Sequence, residues 1–151
     1  IPSIVADYVQ AAKNAIKAGF DGVEIHAANG YLIDEFMKTG ANQRTDAYGG
    51  SVQNRVRLLD EVTAAVASAI GAGRTGIRIS PYSPANGVSD ANPHETAEAA
   101  VKVIASHNLA YLHIVEGSSA RHARGNRPAQ TARHVPRRVD GQQRLHPRNG
   151  P

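Results

Sequence analysis

Three short runs rich in β-branched residues, 22–26, 75–79 and 110–115, each follow a stretch with helical apolar spacing. This alternation constrains the fold more than any other feature. In the first stretch Ile4, Val5, Tyr8, Ala12, Ala15 and Ile16 share a stripe, and Gly19 stands just beyond it as a stop. The second covers about 52–70, with Val56, Leu59, Val62, Val66 and Ile70 on one side, Ser51 as the N-cap, and Gly71 and Gly73 past its end. The third opens on Asn92-Pro93-His94-Glu95: a cap, a proline at the first helical position and a glutamate closing a capping box. It carries Ala97, Ala100, Val101 and Ile104 to about His107. An αβαβαβ order with short connections predicts parallel strands.

Alternation within the strands chooses between the architectures that such an order allows. Val23 and Ile25 point one way, Gly22, Glu24 and His26 the other; Ile77 and Ile79 oppose Gly76, Arg78 and Ser80. One face should be aliphatic and packed on helices. The other should be small and polar, with His26 and Arg78 at the carboxyl ends of their strands. Strands of a doubly wound sheet, buried on both sides, would be apolar on both faces. A (β/α) barrel puts its chemistry at the carboxyl end, facing inward. The expected class is therefore α/β, a partial (β/α)8 TIM barrel of about three βα units, since three strands cannot close a barrel.

The 151 residues allow one domain with a modest core. Without cysteine, disulfides and thiolate–metal sites are excluded, and the seven histidines show no i, i+4 pair, so no metal is expected. No apolar run approaches the roughly 20 residues of a membrane span. The first residue is Ile1, not a methionine, no charged-then-apolar segment precedes the first helix, and the expected location is cytoplasmic. There is no P-loop and no GxGxxG.

His26-Ala27-Ala28-Asn29-Gly30-Tyr31 is the most chemically specific stretch. It sets an imidazole, an amide and a phenol within six residues, where a strand gives way to a loop. Such a group can polarise a carbonyl and deliver a proton. Each residue has a plainer alternative: His26 as a satisfied structural histidine, Asn29-Gly30 as a turn, Tyr31 as a packing residue. Arg78 reads either as a fixed positive charge beside an electron-rich cofactor ring or as the partner of Glu24 inside the barrel. For the polar stretch 44–51 with Asn54 and Arg55, capping and an ion pair of Asp46 with Arg44 or Arg55 are favoured over catalysis.

Read together, these residues resemble the Old Yellow Enzyme family of FMN-dependent NAD(P)H oxidoreductases, especially its bacterial alkene-reductase branch. The resemblance is carried by residues 18–26, 29–36, 42–51 with Asn54-Arg55, and 76–81, and covers 1–116 almost continuously. It implies an eight-stranded barrel with FMN at its mouth and hydride passing from NAD(P)H through the flavin to an activated alkene. It further implies that His26 and Asn29 bind the carbonyl or nitro oxygen of a small-molecule substrate. Tyr31 would be the proton donor, and Arg78 would lie beside the flavin's pyrimidine edge.

The family pattern stops after Glu116. Residues 1–116 carry nine Lys and Arg against twelve Asp and Glu; residues 117–151 carry eight Arg, one acid, and no Ile, Phe, Tyr, Trp, Met or Lys. The second segment is expected to be a disordered, non-family basic tail beside a partial FMN-binding barrel domain at 1–116. Codons able to encode 134–150, read one nucleotide on, permit Thr-Phe-Arg-Gly-Ala-Trp-Met-Val-Asn-Asn-Gly-Tyr-Thr-Arg-Glu-Met-Ala. That string resembles the family's seventh strand and phosphate-binding turn, and suggests a frameshift between about Glu116 and His134. The leading expectation is an ene-reductase by descent, truncated at its N-terminus and inactive as written. One alternative is a non-functional product of a damaged gene with bare sheet edges. The other is a basic-tail nucleic-acid-binding module, disfavoured because aromatic interleaving and a recognisable nucleic-acid fold are lacking.

Overall fold

The computed structural model describes residues 1–116; the expected basic tail and the change of frame lie outside the described residues. Besides two short 3-10 turns, the described residues form α1 (Pro2–Lys17), β1 (Val23–Ala27), α2 (Leu32–Met37), α3 (Val52–Arg55), α4 (Arg57–Ile70), β2 (Thr75–Ile79), α5 (Pro93–Ser106) and β3 (Tyr111–Ile114) in that order. The strands form one parallel sheet in the order β1-β2-β3, as the alternation predicts. Ile25 lies opposite Ile77 and Ile77 opposite Leu112; one position on, His26, Arg78 and His113 align across the sheet.

The period of two in the strands decides where the core sits. Ile25, Ile77 and Ile79 are buried with Ala12 of α1, Leu59, Val62 and Val66 of α4, and Ala100 and Ile104 of α5. Each isoleucine, leucine or valine side chain among them, fully buried, contributes about 1.5–3 kcal/mol. The opposite face carries Glu24, His26, Arg78, Tyr111 and His113, of which His26 is exposed and the rest half-buried. One aliphatic face and one polar face is the division expected of part of a (β/α) barrel. Gly76 is needed on the polar face because a Cβ there would overlap the Tyr111 ring.

Two elements differ from the sequence expectation. The helix expected over 52–70 is broken at Val56, whose ψ of −2° separates α3 from α4. Hydrogen bonds still run across the break, from Val56 N to Val52 O (3.0 Å) and from Asp60 N to Val56 O (3.1 Å). The apolar stripe therefore stays in register, and its periodicity passes through the break unseen. The break follows Arg55, whose buried guanidinium donates to Met37 O (2.9 Å), Gly50 O (2.6 Å) and Thr96 Oγ1 (3.1 Å). The second difference is α2, six residues long and too short to show a helical period.

The helix caps match their residues. Ser51 Oγ accepts from Asn54 N at 3.3 Å. Asn92 Oδ1 accepts from Glu95 N (3.5 Å) and Asn92 Nδ2 donates to Glu95 Oε2 (3.0 Å), with Pro93 opening α5. In the loop before α3, Asp46 pairs with Arg44 and not with Arg55. That guanidinium holds the Asp46 carboxyl down to about 2. Asn42 Nδ2 donates to Phe36 O (2.6 Å) and Tyr48 O (2.7 Å), while Asn54, Arg55 and Arg57 donate to Gly49 O, Gly50 O and Ala47 O, so the loop is anchored both by its own side chains and from the helices that follow it.

Candidate active site

His26 is the last residue of β1 on the polar face, and it is exposed. The chain then turns through Asn29 (φ 57°) and Gly30 (φ 72°), two consecutive left-handed residues, and Tyr31 N closes the turn onto Ala28 O at 3.2 Å. Gly30 is required because a Cβ would strike the Ala85 carbonyl and the Asn86 side chain. Tyr31 is the N-cap of α2 and is 56% exposed. Its ring stands 5.0 Å from that of His26, tilted by 50°. A short turn thus brings an imidazole and a phenol together on the open face.

The turn is held by the loop after β2. Asn29 N donates to Ser80 Oγ (2.6 Å), and Asn86 Nδ2 donates to Asn29 O (2.9 Å). Gly30 N donates to Asp34 Oδ2 at 2.9 Å, a buried bond. Both ends of the Asn29 backbone unit are therefore occupied. Its side-chain amide makes no hydrogen bond among the described residues.

Arg78 lies opposite His26 in register, one strand over and on the same face. Its Nη2 is 2.7 Å from Glu24 Oε1, so the pairing with Glu24 anticipated as the plainer alternative is formed. His113 joins them: Arg78 Nε donates to His113 Nδ1 (3.1 Å), which also lies 3.1 Å from Glu24 Oε2. These two contacts ask for opposite states of Nδ1, unprotonated towards arginine and protonated towards the carboxylate. The Arg78 side chain remains 37% exposed, so its charge can be reached from the polar face although two of its edges are held. Tyr111 completes the floor, its hydroxyl pushed up first by burial and then by the Glu24 charge.

Sequence reasoning passed over His113, Ser80, Asp34, Lys38 and Asn86. His113 had a usable signal, since it has the strand parity of Tyr111 and falls in register with Arg78 once the strands are parallel. Strand parity put Ser80 on the polar face beside Arg78, but nothing local shows that it and Asn86 act on Asn29 from 51 and 57 residues away.

A sequence profile of the NADH:flavin oxidoreductase / NADH oxidase family matches residues 1–141. The chain is 55% identical over 116 residues to a chanoclavine-I aldehyde reductase of Penicillium roqueforti, covering 77% of this chain and 31% of that protein. It is 50% identical over 125 residues to a Leishmania infantum protein named for flavin mononucleotide-dependent alkene reduction, covering 83% and 34%. The Old Yellow Enzyme homologue of Zymomonas mobilis superposes with a TM-score of 0.74 at 46% identity, over 78% of this chain and 34% of that one. The chain thus spans about a third of the length of these relatives.

Proposed function

The chain belongs to the NADH:flavin oxidoreductase / NADH oxidase family, and on that premise we propose that it forms part of an FMN-dependent, NAD(P)H-consuming alkene reductase. The carrying observation is the pairing of His26 and Tyr31, 5.0 Å apart at the carboxyl end of β1 with Asn29 in the turn between them. Bound on the polar face, FMN would supply hydride transfer from NAD(P)H to the β-carbon of an activated alkene. Arg78 fits such a group, since a positive charge remains accessible on that face while Glu24 and His113 fix its direction.

His26 and the free Asn29 amide donate hydrogen bonds to the carbonyl or nitro oxygen of the substrate. Those bonds strengthen as negative charge develops on that oxygen, which lowers the barrier rather than merely tightening binding. The exposed Tyr31 hydroxyl delivers a proton to the α-carbon from the loop side. Among the described residues no helix is long and apolar enough to cross a membrane. A cytoplasmic location, where reduced nicotinamide is available, suits the chemistry.

A chimera tests the reading. Residues 1–116 replace the matching segment of the Zymomonas mobilis homologue, and the product is expected to bind FMN and reduce 2-cyclohexenone with NADPH. A folded, flavin-loaded chimera without that activity would contradict the reading. The 151-residue chain on its own is expected to hold no stoichiometric flavin, because its described residues supply one charged edge of the site; a bound-flavin spectrum would overturn this.

Residues 117–151 are, in the same reading, translated out of the family frame. The break in composition after Glu116 and the permitted Asn-Asn-Gly-Tyr string support it. The profile match through residue 141 speaks for the present frame. Codons incompatible with the shifted string would end the idea.

A further inference from the structure

We propose that Asp34 and Lys38 are positioning residues: their buried pair holds the Asn29–Gly30 turn against the loop after β2, and so sets where Asn29 and Tyr31 stand relative to His26. The proposal deepens the reading of those three residues as a substrate site and rests on it.

The two side chains lie one helical turn apart, at α2 and its C-cap, and are 1% and 4% exposed. Asp34 Oδ2 accepts from Gly30 N at 2.9 Å. Lys38 Nζ stands 3.8 Å from Asp34 Oδ1 and donates to Pro81 O at 2.6 Å. Pro81 follows Ser80, the acceptor for Asn29 N. The turn is thus gripped from α2 by Asp34 and from the β2–α5 loop by Ser80 and Asn86. Lys38 ties the two grips together. Asparagine tolerates φ 57° by itself, so these grips fix where the turn stands and not its backbone conformation.

Burial makes the pair costly to the fold. Burial pushes the Asp34 carboxyl up, against the Gly30 amide, Lys38 and the Ser80 hydroxyl, with Asp90 adding to the rise. Asp34 Oδ1 accepts no hydrogen bond among the described residues. A buried carboxylate with one oxygen unmatched carries a desolvation cost, and apolar residues of similar volume often hold such a place as well. An acid serving the helix dipole alone could be exposed, as Glu35 is in the same turn. An apolar pair could neither accept from Gly30 nor donate to Pro81.

The test is amide hydrogen exchange by NMR on the full 151-residue chain and its D34L/K38M variant. In the variant the urea midpoint is expected to hold or rise, while the Asn29 and Gly30 amides exchange roughly tenfold or more faster and β1 is unchanged. Unaltered rates at both amides would overturn the proposal, as would their fast exchange in the unchanged chain. Protection lost across the whole sheet together with stability would also overturn it. The Gly30 and Asn29 amide shifts should follow one titration in the unchanged chain, with Lys38 and Asp90 the charged groups facing that carboxyl, and lose it in the variant. Should the double variant not fold, Ser80→Ala decides: Asn29 is expected to lose protection and Gly30 to keep it, and the reverse contradicts the arrangement. In the chimera, D34L/K38M is expected to slow alkene reduction about 10- to 100-fold while flavin reduction by NADPH is spared. An inactive unaltered chimera would count against the alkene-reductase reading alone. An active one indifferent to D34L/K38M would count against the positioning role alone.

Discussion

The two faces of one three-stranded sheet have opposite chemistry. Ile25, Ile77 and Ile79 point into a helix layer and are buried, whereas Glu24, His26, Arg78 and His113, alternating with them, point away from it and stay partly or fully exposed. The first face supplies the burial that folds the chain. The second contributes little to folding and carries groups whose hydrogen-bonding capacity is not fully used. Stability and chemistry are thus separated by a single residue of register, and substitutions on the two faces should differ in kind.

The largest effect is expected on the aliphatic face. Ile77→Ala leaves a cavity beneath α4 and should lower stability by about 2–5 kcal/mol, read as a urea midpoint. A loss no greater than that of a surface change would mean that the core is not where the burial places it. Gly30→Ala, at the seam between the faces, should cost about 1–3 kcal/mol, because φ 72° and the Ala85 carbonyl both oppose a Cβ. An unchanged midpoint would show that the turn is not so constrained.

Asp34 makes stability depend on pH. Its carboxyl holds its proton more tightly folded than unfolded. Its contribution is therefore present in full below 3.8, the ordinary value, and declines as pH climbs through the raised folded value. The midpoint of the unchanged chain relative to D34L/K38M should fall as pH rises from 3.8; a relative gain would contradict burial as the governing cause. The smallest effect belongs to the polar face. Glu24→Gln should change stability by no more than about 1 kcal/mol, since water screens a pair that is 37% and 23% exposed.

Much of this division was legible in the sequence, because a period of two is a local signal. Val23-Glu24-Ile25-His26 and Ile77-Arg78-Ile79 display both faces, and Ser51 and Asn92 mark their helix starts by chemistry that acts within three residues. The candidate site was legible only as a list of groups. That His26 and Tyr31 meet depends on a turn whose clamps, Ser80 and Asn86, lie far along the chain. Arg78 offered two pairings, and only the aligned register of three strands shows that Glu24 and His113 both hold it. Asp34 and Lys38 stand at an ordinary i, i+4 spacing; their burial, which gives them significance, comes from tertiary packing.

In the proposed function the polar face holds an alkene-reducing site in which Tyr31 gives the proton. Stopped-flow measurement of both half-reactions in the chimera carrying Tyr31→Phe tests it most directly. The alkene step should slow by about 10²–10⁴-fold while flavin reduction by NADPH keeps its rate. Equal loss in both steps, or no loss in either, would contradict it.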